Sequence, residues 1–328
     1  MLTGRGRLEK AHWYRCLQPY IAAAASSPST FLGGRNKPLI IDEVQMVPEI
    51  FRPMKIIVDE LRLRKKANGR YLLTGSANIM ALPKLSDALV GRMAVLTLYP
   101  LSALEIFEGK GYFIVKLFAN SFIPGKPKQQ FTNLLQAMRL STFPEISEKS
   151  DKEREIWFGG YLTTILQRDV RMVAEIEKAT LLPKLLRVVA ARAGNLVNEA
   201  DIARAMGLNA VTSKRYRNIL KLMYLVFDVE PWFRNIGKRL NKSPKTYVVD
   251  TALLCHPLQY RLEDILMRDP LLFGHILENF TAAELSKQLA GSGLRASLFH
   301  FRSNDNKEVD FVLERPNGQL AGIKVKAA

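Results

Sequence analysis

The 328-residue sequence predicts an α/β protein that begins with a parallel sheet and continues through a helical region into a smaller α/β segment. Short β-branched runs alternate with helical periodicity up to residue 98, residues 131–230 are mostly helical in pattern, and the segment after residue 250 holds one helix and three short strands. Strands that alternate with helices usually pair in parallel. With 48% hydrophobic residues the chain can bury a sizeable core, and its length predicts two or three domains.

The N-terminal elements alternate between strand and helix. Pro38–Ile41 is too short and too β-branched for a helix, and the apolar residues after Pro48 recur at helical spacing. The predicted elements are a buried strand at 38–41, a helix over 50–61, a buried strand at 71–73, a helix around 81–90 and a strand at 94–98. The first 37 residues show no clean period.

The helical region contains helix-turn-helix spacing. After an exposed loop or linker predicted at 120–130, a helix beginning at Asn198 leads into the turn Gly207–Asn209, and a second helix runs from Val211 to Tyr224. The run Leu225–Phe227 and the region around Trp232 predict a β-wing. These features together predict a winged helix.

The C-terminal segment changes character again. The sequence predicts a helix at 274–289 and strands at 298–301, 309–314 and 320–325. We therefore expect three domains, with boundaries at 1–119, 131–250 and 251–328.

Charge and composition limit the classes of function that the sequence allows. The formal charge of +17 lies mainly between residues 51 and 250, whereas residues 251–328 hold as many acidic as basic side chains. This charge fits either a polyanion-binding face or a solvated surface, and charge alone leaves both open. Cys16 and Cys255 are too few for a disulfide framework or a Cys-rich metal site. No apolar stretch is long enough to cross a membrane, so we expect a cytoplasmic protein without a membrane partner.

Two carboxylates follow the first predicted strand. Asp42 and Glu43 come directly after Leu39–Ile41, at the sheet edge where α/β proteins bind ligands. In a nucleotide hydrolase, such an Asp holds Mg²⁺ and such a Glu polarises the attacking water. Ser76 and Asn78 follow the next strand, where small polar groups can sense a γ-phosphate. The alternative is a strand that runs into an acidic loop without further function.

Several ordered motifs together resemble one family, the prokaryotic AAA-type ATPases that carry a C-terminal domain of unknown function. The motifs are Ile-Ile-Asp-Glu-Val-Gln-x-x-Pro-Glu-Ile-Phe (40–51), Leu-Leu-Thr-Gly-Ser-Ala (72–77), Leu-Val-Gly-Arg (89–92), Thr-Phe-Pro-Glu (142–145), the run 161–170, Lys-Arg-Leu (238–240), Ser-Pro-Lys (243–245) and Val-Asp-Phe (309–311). The resemblance covers roughly residues 20–328.

The resemblance implies ATP and Mg²⁺ as ligands. Asp42 and Glu43 match the metal-binding and water-activating pair of the Walker B motif, and Ser76 or Asn78 matches the sensor. Arg92 matches the arginine finger, which acts on the nucleotide of a neighbouring subunit and implies a homo-oligomer.

One part of the family pattern is missing from the sequence. The family opens with a Walker A loop, G-x-x-x-x-G-K-[ST], whose amides and Lys hold the phosphates, and no such string occurs in the 328 residues. Without these contacts, nucleotide binding and phosphoryl transfer lose their main source of charge neutralisation. We therefore expect an impaired or truncated ATPase, or a disrupted reading frame.

The predicted second helix of the helix-turn-helix carries Lys214, Arg215 and Arg217, which we expect to contact DNA phosphates or bases. The alternative is a non-catalytic module that binds a protein partner, because packing alone also explains the apolar pattern.

The C-terminal segment has the order of a PD-(D/E)xK nuclease core, with Glu278 on a helix, Asp310 in a strand and Lys326 on the last strand. The resemblance implies a Glu at position 324, where this chain has Lys. Because a cation there repels Mg²⁺, we expect a degenerate, nuclease-like domain.

Overall fold

A computed structural model describes most of the chain and divides it into two compact units. The described residues are 12–15, 18–33, 38–78, 89–109, 111–119, 134–173, 178–235, 242–303 and 307–327, with the single residues 176, 237, 239 and 305. Unit 1 comprises Met1–Leu96 and Gln167–Glu177, and unit 2 comprises Thr97–Leu166 and Lys178–Ala328. Residues 97–119 belong to unit 2 in this division, and the three predicted domains stay a prediction.

The regular elements, in chain order, are as follows. The helices are α1 (Gln18–Ser26), α2 (Pro28–Gly33), α3 (Phe51–Leu63), α4 (Ala103–Ile106), α5 (Phe113–Phe118), α6 (Asp151–Thr164), α7 (Val170–Val173), α8 (Leu182–Ala190), α9 (Glu199–Met206), α10 (Ala210–Leu222), α11 (Thr251–Leu258), α12 (Leu262–Arg268) and α13 (Pro270–Ser292). The strands are β1 (His12–Arg15), β2 (Leu39–Asp42), β3 (Tyr71–Leu73), β4 (Val226–Pro231), β5 (Lys245–Val248), β6 (Ser297–Arg302), β7 (Glu308–Glu314) and β8 (Leu320–Ile323). Short 3₁₀ turns occur at Val44–Met46, Pro48–Ile50 and Ala179–Leu181, and a π-helical turn occurs at Ile165–Asp169.

Unit 1 contains a parallel sheet with the order β1-β2-β3. The predicted parallel arrangement of β2 and β3 is confirmed, but β1 was not predicted. The strand predicted at Ala94–Leu98 was wrong, because these residues have no regular structure and are exposed, Leu96 by 80%. The helix predicted around 81–90 falls mostly outside the described residues, and so does the loop at 120–130.

The core of unit 1 lies between β2 and α3. Leu39 and Ile41 are buried on β2, and Phe51, Met54 and Val58 are buried along one face of α3. This i, i+3, i+7 spacing is the one that predicted the helix. Strand β3 is less buried than predicted, since the Leu72 side chain is 49% exposed.

The helix-turn-helix of unit 2 has defined caps at each helix. The side chain of Asn198 accepts hydrogen bonds from Ala200 N and Asp201 N at the start of α9, and Gly207 ends α9 in the left-handed region with φ 67°. The side chain of Asn209 then accepts a hydrogen bond of 2.8 Å from Thr212 N at the start of α10. Capping side chains and a left-handed glycine are the usual helix boundaries, which is why both helices were predictable.

A five-stranded sheet with the order β5-β4-β6-β7-β8 forms the second part of unit 2. Strand β4 pairs antiparallel with β5 and parallel with β6, and the other pairs are antiparallel. The predicted β-wing stays a prediction, because the antiparallel pair β4 and β5 follows α10 but also belongs to the larger sheet. Helix α13 supplies Ala282 and Leu285 to the core under this sheet, where they pack with Phe311 of β7.

Candidate functional site

The carboxyl end of β2 places Asp42 and Glu43 at one edge of the parallel sheet. Asp42 is the last residue of β2, and Glu43 follows in the left-handed backbone region with φ 54° and ψ 48°. Residues other than glycine rarely adopt this conformation, and strain of this kind is concentrated at functional sites. Here it turns the chain into the Val44–Met46 turn and leaves the Glu43 carboxylate facing the residues after β3.

Thr74 connects the ends of β2 and β3. Its hydroxyl donates a hydrogen bond to Asp42 Oδ1, and its backbone N–H donates to Ile41 O at 3.0 Å. Its carbonyl accepts a hydrogen bond of 2.9 Å from Val44 N. Thr74 thus fixes the position of Asp42, although sequence reasoning did not select it as a site residue.

Gln45 connects Glu43 to Ser76. Its side-chain amide donates to Glu43 Oε2 and, at 3.1 Å, to Ser76 Oγ, while Ser76 N lies 3.4 Å from Glu43 Oε2. Gln45 is only 5% exposed, and its Oε1 has no hydrogen-bond partner among the described residues. Sequence reasoning missed this role of Gln45, although it stands in the 40–51 motif. The predicted proximity of Glu43 and Ser76 is present in the structure.

Asp169 reaches the same unit from a distant part of the sequence. It lies at the end of the π-helical turn, within the segment Gln167–Glu177 that belongs to unit 1, and its side chain is 12% exposed. Burial and the negative charge of Glu43 raise the pKa of Asp169. The site thus has a third carboxyl group nearby, which no local spacing in the sequence indicated.

Arg92 and Asn78 have different surroundings from Glu43. The Arg92 guanidinium makes a bidentate ion pair with Asp59 on α3, with Nε–Oδ1 at 2.7 Å and Nη2–Oδ2 at 2.8 Å. The hydrogen bond from Arg92 lowers the pKa of Asp59. Asn78 is half-buried in the bend after Ser76. The structure therefore brings Ser76 to Glu43, while Arg92 is held by α3, and its role as an arginine finger stays a prediction.

The residues at this site fit Mg²⁺ bound together with a nucleotide. Asp42, Glu43 and Thr74 offer oxygen atoms, the ligands that Mg²⁺ prefers. Within the described part of the chain, no group of three or more His, Cys, Asp or Glu side chains could hold a metal ion by itself. Mg²⁺ commonly binds through one or two carboxylates and completes its shell with water and phosphate oxygens.

The carboxylates predicted for the C-terminal segment are neutralised by lysines of the protein. Asp310 accepts hydrogen bonds from Lys324 Nζ at 2.7 Å and from Val325 N at 2.6 Å. Glu278 lies 2.9 Å from Nζ of Lys245. Lys324 makes the contact with Asp310, whereas Lys326 is exposed, and its part in a nuclease-like site stays a prediction.

Lys245, which sequence reasoning did not select, is the centre of this cluster. Its side chain is 4% exposed, and its ammonium also binds Glu308 Oε1 at 2.6 Å. Burial alone lowers the pKa of Lys245, but the charges and hydrogen bonds of Glu278 and Glu308 outweigh it and raise the pKa. The ammonium therefore stays protonated and neutralises both carboxylates.

The basic residues predicted for nucleic-acid binding fall into two groups. Lys214 and Arg215 are exposed on α10. The prediction that Arg217 contacts DNA was wrong, because its side chain is 5% exposed and binds Glu199 and Asp228. A guanidinium enclosed by two carboxylates cannot reach a phosphate.

Three family models match the chain. An AAA domain matches residues 7–107, and two domains of unknown function, DUF8612 and DUF4143, match residues 132–264 and 273–328. The AAA match covers the part of the chain that contains the parallel sheet with carboxylates at the end of its central strand. The AAA and DUF4143 matches together identify the chain as an AAA-type ATPase-like protein with a C-terminal domain of unknown function.

Similar proteins occur in several bacteria. The chain is 28% identical over 308 residues to uncharacterized proteins of Mycobacterium tuberculosis and Mycobacterium bovis, an alignment that covers 94% of this chain and 63% of each relative. An uncharacterized protein of Haemophilus influenzae is 22% identical over 282 residues, covering 84% of this chain and 62% of that protein. The chain thus spans less than two thirds of the length of these relatives. No solved structure gives a significant match.

Among the described residues, none of the helices is both long and apolar enough to span a membrane.

Proposed function

We propose that the Asp42–Glu43 site binds a nucleoside triphosphate together with Mg²⁺. The observation that carries this proposal is the hydrogen-bonded cluster of Asp42, Thr74, Glu43, Gln45 and Ser76 at the carboxyl ends of two parallel strands. Ligands of α/β proteins bind at this edge of the sheet. Proteins with an AAA domain generally use nucleotide and Mg²⁺, which agrees with the oxygen ligands present.

Each residue of the cluster has a distinct task in this proposal. Asp42, oriented by the Thr74 hydroxyl, holds the metal ion directly or through water. Glu43, oriented by Gln45, accepts a hydrogen bond from the attacking water and polarises it. Ser76 senses the terminal phosphate. When bound, Mg²⁺ neutralises charge on the phosphate oxygens.

We further propose that hydrolysis by this 328-residue chain is impaired. The sequence contains no G-x-x-x-x-G-K-[ST] string, so backbone amides and a lysine in that arrangement do not neutralise the phosphates. Nucleotide binding then depends on Mg²⁺ and the carboxylates, and we expect it to be weak and strictly dependent on the metal.

The test is an equilibrium titration of the chain with ATP, with and without Mg²⁺. We expect saturable binding only with Mg²⁺, and we expect Asp42→Asn to abolish it. Glu49→Gln is the matched control, because Glu49 is an exposed carboxylate seven residues further along the same segment and should not affect binding. Absence of saturable binding in the presence of Mg²⁺ would rule out the proposal for this chain.

A second function, binding of double-stranded DNA by the helix-turn-helix, is favoured by the surface of α10. Lys214 and Arg215 are exposed there, and the sequence of α10 contains no acidic residue. Because each phosphate contact releases a counterion, binding should weaken steeply with salt. We expect Lys214→Ala to weaken binding and to reduce the salt dependence by about one counterion. Lys152→Ala, which removes an exposed lysine from α6, is the matched control and should have no effect.

A further inference from the structure

One face of α10 is exposed along two turns. After the exposed first residue Ala210, its exposed residues recur at i, i+3, i+4 and i+7, which places them on one stripe of the helix. They are Val211, Lys214, Arg215 and Asn218. The opposite faces are buried and hold Ser213, Tyr216, Arg217, Ile219 and Leu220. Between Val211 and Asn218, this stripe is therefore the face that α10 presents outward in the described part of the chain.

The stripe combines side chains of different chemistry. Val211, in the first turn of α10, is apolar and 80% exposed. Asn218 carries an amide that can donate and accept at once. Lys214 and Arg215 lie between them and are cationic. Along the helix, the stripe thus offers an apolar side chain, then two positive charges, and then an amide that can make two hydrogen bonds.

The dimensions of the stripe match a short run of base pairs. From Val211 to Asn218 the helix rises by about 10 Å, at about 1.5 Å per residue. Base pairs stack about 3.4 Å apart, so the stripe spans about three of them. An α-helix fits the major groove of B-form DNA, and the N-terminal residues of a recognition helix contact base edges there.

A buried ion network fixes the orientation of α10. Arg217 Nη1 binds both carboxylate oxygens of Asp228 on β4 at 2.9 Å, and Arg217 also binds Glu199 on α9 at 2.8 Å. Lys221 Nζ binds Asp228 Oδ2 at 2.7 Å. The network attaches α10 to both neighbours through its buried side, so the exposed stripe is presented on a fixed helix.

We propose that α10 enters the major groove of duplex DNA and that Val211 and Asn218 read base edges there. This inference rests on the DNA-binding function proposed above and adds sequence preference to it. The Asn218 amide is suited to bidentate hydrogen bonding with adenine N6 and N7, and the Val211 methyl groups are suited to contact with a thymine methyl. Lys214 and Arg215 bind the flanking phosphates and carry no sequence information.

The experiment is a selection of binding sites from a pool of randomised DNA duplexes with the full chain, followed by affinity measurements on the selected duplex. We expect the selected sites to share a short A·T-containing motif of about three base pairs. Asn218→Ala should lower the affinity for the selected duplex by about 10-fold or more and remove the preference at one adenine. Val211→Ala should weaken the preference at a thymine.

The two kinds of variant separate base reading from general DNA binding. Asn218→Ala and Val211→Ala should leave the affinity for a scrambled duplex and its salt dependence unchanged. Lys214→Ala should lower the affinity for the selected and the scrambled duplex by the same factor. Urea unfolding of each variant checks that α10 remains folded.

Three outcomes would overturn the inference. Salt-dependent binding without any enriched motif would contradict base reading but leave DNA binding standing. Equal loss of affinity for both duplexes in Asn218→Ala would also contradict it. Absence of salt-dependent binding to any duplex, or binding confined to RNA or to an acidic protein, would remove the proposed DNA-binding function itself.

Discussion

Lys214 and Arg217 stand three residues apart on α10 and have opposite surroundings. Lys214 is exposed, whereas Arg217 is enclosed by the carboxylates of Glu199 and Asp228 and the hydroxyl of Thr246. The positive charge of Arg217 and the hydrogen bonds that Asp228 accepts from Lys221 and Thr246 outweigh burial and lower the pKa of Asp228. Arg217 therefore stabilises the helix-turn-helix from inside.

We predict that Arg217→Ala destabilises unit 2 by about 3 kcal/mol, because it removes the buried guanidinium that pairs with Asp228 and Glu199 and leaves Lys221 as the remaining cationic partner of Asp228. Urea unfolding measures this change. The control is Lys214→Ala, which removes an exposed basic side chain from the same helix. It should change the free energy of unfolding by less than about 0.5 kcal/mol. Equal effects of the two substitutions would contradict the assignment.

His300 gives unit 2 a defined response to acid. It is 2% exposed on β6, its Nε2 lies 3.3 Å from Ser243 O, and burial together with the charge of Lys245 lowers its pKa to about 4. The folded state therefore disfavours protonation of His300, whereas the unfolded chain is protonated below about 6.5.

We predict that the stabilisation from neutral His300 is complete above about pH 6.5 and is lost progressively as the pH falls toward about 4. The loss is roughly 3 kcal/mol at most. Unfolding free energies at pH 7.5 and 5 test this, with His300→Gln as the comparison. The variant should show a smaller difference between the two pH values, and an unchanged difference would refute the prediction.

At the residue level, the sequence predicted correctly which side chains lie close together at the ends of neighbouring strands. Asp42, Glu43 and Ser76 were predicted together because two strand ends meet at one sheet edge. Sequence reasoning failed for Arg217, because a basic residue within a helix gives no local sign that carboxylates from another helix and a strand will enclose it. The position of Asp169 near Glu43 was missed because the two residues are far apart in the sequence and no local pattern links them.

Among the structural elements, the helix-turn-helix has the clearest local determinants. Its turn depends on Gly207, which has φ 67°, and a Cβ at this position would meet no atom within 4 Å. Any effect of adding a Cβ there is therefore a backbone effect.

We predict that Gly207→Ala destabilises unit 2 by about 1 kcal/mol, because an L-residue is strained in the left-handed region. Gly160→Ala is the matched control. Gly160 lies within α6, a Cβ there also meets nothing, and its φ is not in the positive range. That substitution should stabilise the helix by about 0.5–1 kcal/mol. Thermal unfolding of both variants distinguishes these opposite signs, and destabilisation by both variants would contradict the prediction.

Most elements with strong local signals were predicted, whereas β1, which has a weak local signal, was not. Helices α3, α9 and α10 have apolar periodicity, capping side chains or both. Strand β1 is defined by its parallel pairing with β2, and its own residues show no hydrophobic periodicity that would have predicted a strand. Ala94–Leu98 is the converse case, a β-branched run without a strand partner in the described residues.

At the scale of the whole molecule, the two compact units are not consecutive stretches of the sequence. The chain leaves unit 2 at Leu166, contributes Gln167–Glu177 to unit 1 and returns to unit 2 at Lys178. No composition shift marks these crossings, so a division of the sequence into consecutive domains could not identify them.

We predict that a chain ending at residue 250 fails to fold unit 2. Such a chain lacks β6, which pairs with β4, and lacks the α13 and β7 side chains that form the core beneath the sheet. Near-UV circular dichroism and urea unfolding, with the 328-residue chain as reference, measure the loss. A native-like, cooperative transition of unit 2 in the shortened chain would contradict the prediction.

The position of β4 between β5 and β6 has a consequence for inheritance. Because α10 is joined through Arg217 to a strand that the C-terminal strands complete, recombination that transferred the helix-turn-helix alone would deliver a fragment with an unpaired strand edge. The two regions matched by different family models are thus expected to travel between genomes together, as one heritable module.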